Sequence, residues 1–183
     1  MFCIMISMTF SCFQQNDANV VAEKLVIYRK EQSDNVKQLI AQFAMCRSNG
    51  DDTGATLAAR KLAVLRSIEA VPTLIEHLEF SPKFTRLKTR FYTLSELYPC
   101  VYALGKIGGE SCHNAILHRI VTTRDADSIK HARKVLKISL GCDGAISLVN
   151  GWATREKDAA VIERLQTLAE SIEKNERGVN LDN

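Results

Sequence analysis

With 183 residues, 46% of them hydrophobic and 25% charged, the chain is long enough for one domain with a substantial core. Nine Gly and three Pro are too few for the many turns of an all-β fold, and a net charge of +3 by itself implies neither a nucleic-acid nor a membrane-surface partner. Six Cys occur without a C-x-x-C pair, which gives no support to a zinc or thioredoxin-like site.

The first thirteen residues, MFCIMISMTFSCF, carry no charged side chain and are too few to span a bilayer as a helix, so no transmembrane span is expected. Residues 1–15 read either as the apolar core of an export signal or as an apolar segment that packs on the first helix, with a mis-called start codon as a third reading. No Lys or Arg precedes the run, as an export signal would have it. Thr9-Phe10-Ser11-Cys12 is loosely similar to a bacterial lipoprotein box, from which the bulky Phe10 departs; on that reading Cys12 is lipidated.

Residues 16–175 are expected to form a single α-helical domain. Asn16 or Asp17 can cap a helix to about Lys30, with Val21, Leu25 and Tyr28 on one face and Ile27 beside them. Ser33-Asp34-Asn35 reads as a break or a second cap, after which Val36, Leu39, Ile40 and Phe43 mark a helix to about Arg47. Residues 48–54 have turn chemistry and no hydrophobic side chain. Asp51 and Asp52 lack the ordered ligands and closing Glu of a calcium loop, so they read as a solvated turn.

Residues 55–80 give two short helices. Leu57, Leu62, Leu65 and Ile68 mark the first; Val71, Leu74, Ile75 and Leu78 mark the second, with Pro72 in its first turn, where a missing N–H costs nothing. Residues 99–121 repeat the pattern: Val101, Leu104 and Ile107, then Gly108-Gly109, then Cys112, Ala115, Ile116 and Ile120. Leu65 to Leu104 is the same step as Ile68 to Ile107, and the second helices are offset by three residues more, which places the extra length in the Gly108-Gly109-Glu110 turn. A weaker third copy spans residues 128–152, where Val135 and Ile138 precede a turn at Gly141 and Gly144, followed by Ala145, Ile146 and Val149. From about Thr154 to Lys174, Ile162, Leu165, Ala169 and Ile172 form the stripe of a last helix, read as a cap on the stack, and residues 176–183 as a frayed tail.

Ala70-Val71-Pro72-Thr73-Leu74-Ile75, Tyr102-Ala103-Leu104-Gly105-Lys106-Ile107-Gly108-Gly109 and the paired-helix period resemble HEAT repeats, in particular the short bacterial, phycobilisome-lyase-like kind. The likeness covers residues 55–152 and departs in the third copy, where the central motif is reduced to Val135-Leu136-Lys137-Ile138. It implies an all-α, armadillo-like α-solenoid that binds other proteins, and it implies no catalytic residue.

Between the first two copies, residues 81–98 hold Lys83, Arg86, Lys88 and Arg90 interleaved with Phe84, Phe91, Tyr92 and Tyr98. Such a mixture can hold phosphate backbones and stack on bases, or form the rim of a protein interface; in the bland alternative the aromatics pack under the loop. Lys130, Arg133, Lys134 and Lys137 lie along one face of a second basic stretch, whose ordinary role is a solvated face. The candidate binding residues are therefore Lys83, Phe84, Arg86, Lys88, Arg90, Phe91 and Tyr92, with Lys130, Arg133 and Lys134.

His113 and His118 are wrongly spaced for a metal pair on one helix face, and His77 and His131 have no ligand set around them. Cys100 and Cys112 read as small buried hydrophobes; in an exported chain Cys46, Cys100, Cys112 and Cys142 could pair in three ways. No catalytic, cofactor or metal residue is assigned. The expected function is a non-enzymatic scaffold that binds a protein partner through the repeat surface and residues 81–98. The alternatives are a lyase or chaperone for a tetrapyrrole-bearing protein, suggested only by the kind of repeat, and nucleic-acid binding if both basic stretches share a face.

Overall fold

The computed structural model of the chain describes the backbone of residues 3–87 and 92–177 and the side chains of residues 26–85 and 92–174. Among the described residues the protein is all-helical, with no strand. The chain divides into two compact units, Met1–Gln38 and Leu39–Asn183. In the first unit the described residues are helical throughout; Ile27 and Tyr28 are exposed, and the side chains of Val21 and Leu25, which share the expected face, lie outside the described residues. The side chain of Cys12 and those of residues 1–15 lie outside the described residues. No described helix is long and apolar enough to cross a membrane.

The first helix, α1 (Cys3–Asn49), runs without interruption through Ser33-Asp34-Asn35, where a break was expected. Capping residues compete with helix but do not end it unless the chain also has a reason to leave, and residues 3–49 contain neither Gly nor Pro. The helix stops at Gly50, whose φ of 72° is left-handed, while the Asp51 N–H closes back on the Cys46 carbonyl at 2.8 Å. Asp51 then caps α2 (Asp52–Val64) by accepting the Gly54 N–H at 2.9 Å. Asp52 accepts the Lys83 N–H at 2.7 Å, so these two carboxylates organise the backbone.

The expected apolar face of α2 is corrected. Leu57, Leu65 and Ile68 point to solvent, Ile68 being 79% exposed, and the helix ends at Val64. The buried side is the alanine side: Ala55, Ala58, Ala59, Leu62 and Ala63, whose small side chains let α2 approach its neighbours closely. Arg66, with φ 48°, takes the left-handed position after α2, and Ser67 N–H returns to the Leu62 carbonyl at 3.2 Å. A short 3₁₀ turn (Ile68–Ala70) leads into α3 (Val71–Glu76), with Pro72 in its first turn as expected.

After a second 3₁₀ turn (Lys83–Leu87) come α4 (Leu94–Leu97), α5 (Pro99–Ile107) and α6 (Glu110–Thr122). The α5–α6 turn sits where the glycine pair requires it: Gly108 and Gly109 have φ of 76° and 88°, which side-chain-bearing residues avoid. Then α7 (Ala126–Ala153) runs to a break at Gly141, with φ 72° and ψ 174°, and resumes. The expected turn of the third copy is thus present as a break at Gly141 alone, and Ile138, expected beside Val135 on the buried face, is 62% exposed. The last helix, α8 (Ala159–Arg177), starts later than expected because the Asp158 carboxylate accepts the Ala160 N–H at 2.8 Å. Leu165, Leu168 and Ile172 form its buried stripe.

The core of the second unit lies around α5, which packs against α2, α3, α4, α6 and α7. Phe43 is fully buried, edge-on to Phe80 with ring centroids 6.2 Å apart. Three polar contacts tie α6 to its surroundings. His113 Nε2 meets Ser139 Oγ at 2.8 Å, Trp152 Nε1 donates to Asn114 Oδ1 at 2.9 Å, and Arg119 Nε donates to Ser128 Oγ at 3.0 Å. Arg119 is buried and also ion-paired with Glu79; burial works against its charge while the Asp125 carboxylate supports it.

Helices α5 and α7 meet where α5 has no side chain. A Cβ on Gly105 would clash with Val135 Cγ1. Gly105→Ala adds helix propensity worth about 1 kcal/mol, but Val135 is β-branched and cannot rotate away freely. Overpacking of this kind costs about 1–3 kcal/mol. The expected result in urea denaturation is net destabilisation by Gly105→Ala, smaller when Val135→Ala is present in the same chain; an additive pair would show that the two residues do not touch.

Candidate partner-binding groove

The segment after the second 3₁₀ turn is set by a local cap. The Glu96 carboxylate accepts the Thr93 N–H at 2.9 Å, which starts α4 and leaves Leu94 and Leu97 half-buried. At the junction of α4 and α5, Tyr98 is buried, and its hydroxyl donates to Asp125 Oδ2 at 3.3 Å. Asp125 is the N-cap residue of α7, accepting the Asp127 N–H at 3.2 Å. The Tyr98 ring also lies on the His131 imidazole, with centroids 5.1 Å apart. One tyrosine therefore fixes α4 against the first turns of α7.

Along α7, Ser128, Ala132, Val135 and Leu136 are buried, a helical spacing that commits one face to the core. The opposite side carries Lys130, Arg133, Lys134 and Lys137. Against α4 these residues line a groove of about 740 Å³. Tyr92, Leu94 and Leu97 form one wall; Lys130, His131, Arg133, Lys134, Lys137 and Ile138 form the other. No Asp or Glu is among the described residues that line it, and none of its four cations is ion-paired among the described residues.

The sequence-predicted residues separate into three groups. Tyr92, Lys130, Arg133 and Lys134 come together in this groove. Lys83 and Phe84 do not line it: Phe84 packs with Tyr92, centroids 5.9 Å apart, and accepts the Tyr92 hydroxyl at its carbonyl at 2.8 Å. Phe84 is half-buried and lines a separate, smaller cavity together with Tyr92, while Lys83 is exposed with its backbone held by Asp52. Lys88, Arg90, Phe91 and the side chain of Arg86 lie outside the described residues. Lys137, Leu94, Leu97 and Ile138 were not selected from the sequence as site residues; Lys137 shares the i, i+3, i+4 spacing of the others and could have been.

The thiols have no part in the groove. Cys46, Cys100 and Cys112 are free and buried. Burial pushes the Cys100 thiol up to about 12, against the opposing pull of Arg47, and raises Cys112 as well. Among the described residues no cluster of three His, Cys, Asp or Glu side chains could hold a metal ion. No protein-family model matches the chain, and neither the curated proteins nor the solved structures give a match.

Burial, with the Asp125 carboxylate in support, raises Tyr98 to about 12. Its folded value is above the unfolded one, so its contribution is whole below about pH 10 and is lost as pH rises through the folded value. Tyr98→Phe should lower stability near pH 8 by about 1 kcal/mol. It should also flatten the fall in urea midpoint between about pH 10 and 12. An equal alkaline fall in both proteins would remove Tyr98 from this role.

Proposed function

We propose that the chain is a non-enzymatic helical scaffold of HEAT-like hairpins that binds an acidic, leucine-bearing segment of a protein partner in the α4–α7 groove. The observation that carries this reading is the groove's composition. Four cations rim an apolar strip of Leu94, Leu97 and Ile138, and no described acid lines the groove. Ile138, 62% exposed, gains by being covered. The cations would steer an acidic segment and set its register, and the apolar strip would supply the burial. The α5–α6 hairpin and the break in α7 at Gly141 support the repeat interpretation. Nucleic-acid binding is supported less well, because Lys83 and Phe84 do not line the groove and the Tyr92 ring already packs, tilted, against Phe84.

Fluorescence anisotropy with a labelled acidic peptide containing leucines tests the proposal. Binding is expected to be saturable. Lys130→Glu with Lys134→Glu should weaken it by about tenfold or more, roughly 1.4 kcal/mol, with the melting curve unchanged because both side chains are exposed. Leu97→Ser should weaken it as well. Unchanged affinity after the double charge reversal, or preferential binding of a single-stranded oligonucleotide, would refute the proposal.

A further inference from the structure

On the other side of Arg133 lies a second cavity of about 670 Å³, between the end of α6, the first turns of α7, and α8. We propose that it binds a phosphate monoester that carries a small apolar body. Three arginines from three elements line it: Arg124 from the α6–α7 connection, Arg133 from α7 and Arg164 from α8. None is ion-paired among the described residues, and Glu163 is the one described carboxylate in the lining.

Arg164 is held in place, since its Nη1 donates to the buried Val121 carbonyl at 2.7 Å. That bond uses one of five guanidinium donors and leaves the others for a ligand. Arginine presents a planar fork that matches phosphate oxygens two at a time. Three such groups against one carboxylate leave two positive charges, matching a phosphate monoester of about −1.5 to −2 better than a monocarboxylate. Ile120, Ile129 and Leu168 supply the apolar part of the lining, so the site has room and surface for more than an inorganic ion. The inference is independent of the groove's proposed role, because Arg124 and Arg164 line the cavity and not the groove.

Isothermal titration of the full chain with phenyl phosphate, inorganic phosphate and benzoate, at constant ionic strength, reads the site directly. Phenyl phosphate is expected to bind saturably, and about tenfold more tightly than either of the others. Arg124→Gln should weaken it by about tenfold. Arg124 is exposed and its side chain makes no hydrogen bond or ion pair among the described residues, whereas Arg164→Gln also breaks the contact to Val121, so Arg124→Gln decides. Lys134→Gln, in the groove only, should leave the affinity within about twofold. The proposal is overturned by an absence of phenyl phosphate binding, by benzoate binding as tightly, by wild-type affinity in Arg124→Gln, or by equal loss in Lys134→Gln.

Discussion

The seating of Val135 over Gly105 is the constraint on which the second unit depends. Helix–helix distances are set by the side chains between the axes, and here one helix offers none. That close approach fixes α7 to α5, the helix around which the core is built. Once the Val135 face of α7 is committed inward, Lys130, Arg133, Lys134 and Lys137 are committed outward by helical spacing alone. Tyr98 then fixes the remaining freedom, because its bond to Asp125 and its contact with His131 place α4 beside that basic face. The groove is a consequence of one missing side chain and one buried phenol.

Much of this was legible in the sequence. Glycine and proline gave the most dependable signals: Gly108-Gly109 and Gly141 interrupt helices, and Pro72 begins one, for reasons that act within a few residues. Polar capping residues were less dependable, and α1 passes through Ser33-Asp34-Asn35 because no backbone feature there forbids it. On α2 the size of the apolar residues misled. Leu57 on α2, and Leu65 and Ile68 just beyond its end, are larger than the alanines, yet the alanines and Leu62 face the core because neighbouring helices come close there. Hydrophobic periodicity ranks faces by transfer energy and does not register that close packing can favour the smaller side chain.

The polar interior was not legible at all. Arg119 with Glu79, and His113 with Ser139, link residues far apart in the chain, and Arg119 also bonds Ser128 across the α6–α7 connection. No local pattern signals such a pair, although each buried polar group must find a partner when the helices close. These links oppose sliding of α6 along α7, because an unmade buried bond costs more than a made one contributes. The same non-local geometry brings residues 92–97 to residues 130–138, and Arg124 to Arg164, across stretches of chain with no repeat relationship. Arg133 lines both cavities, so the second unit holds two adjacent cationic surfaces of different lining.

The dependence on the α5–α7 contact is tested most directly by nuclear Overhauser spectroscopy on the full chain. Strong cross-peaks are expected between the Gly105 α-protons and a Val135 methyl, together with cross-peaks between the Tyr98 and His131 rings. Val135 methyls that show contacts only within their own helix, with no transfer to Gly105, would contradict the account.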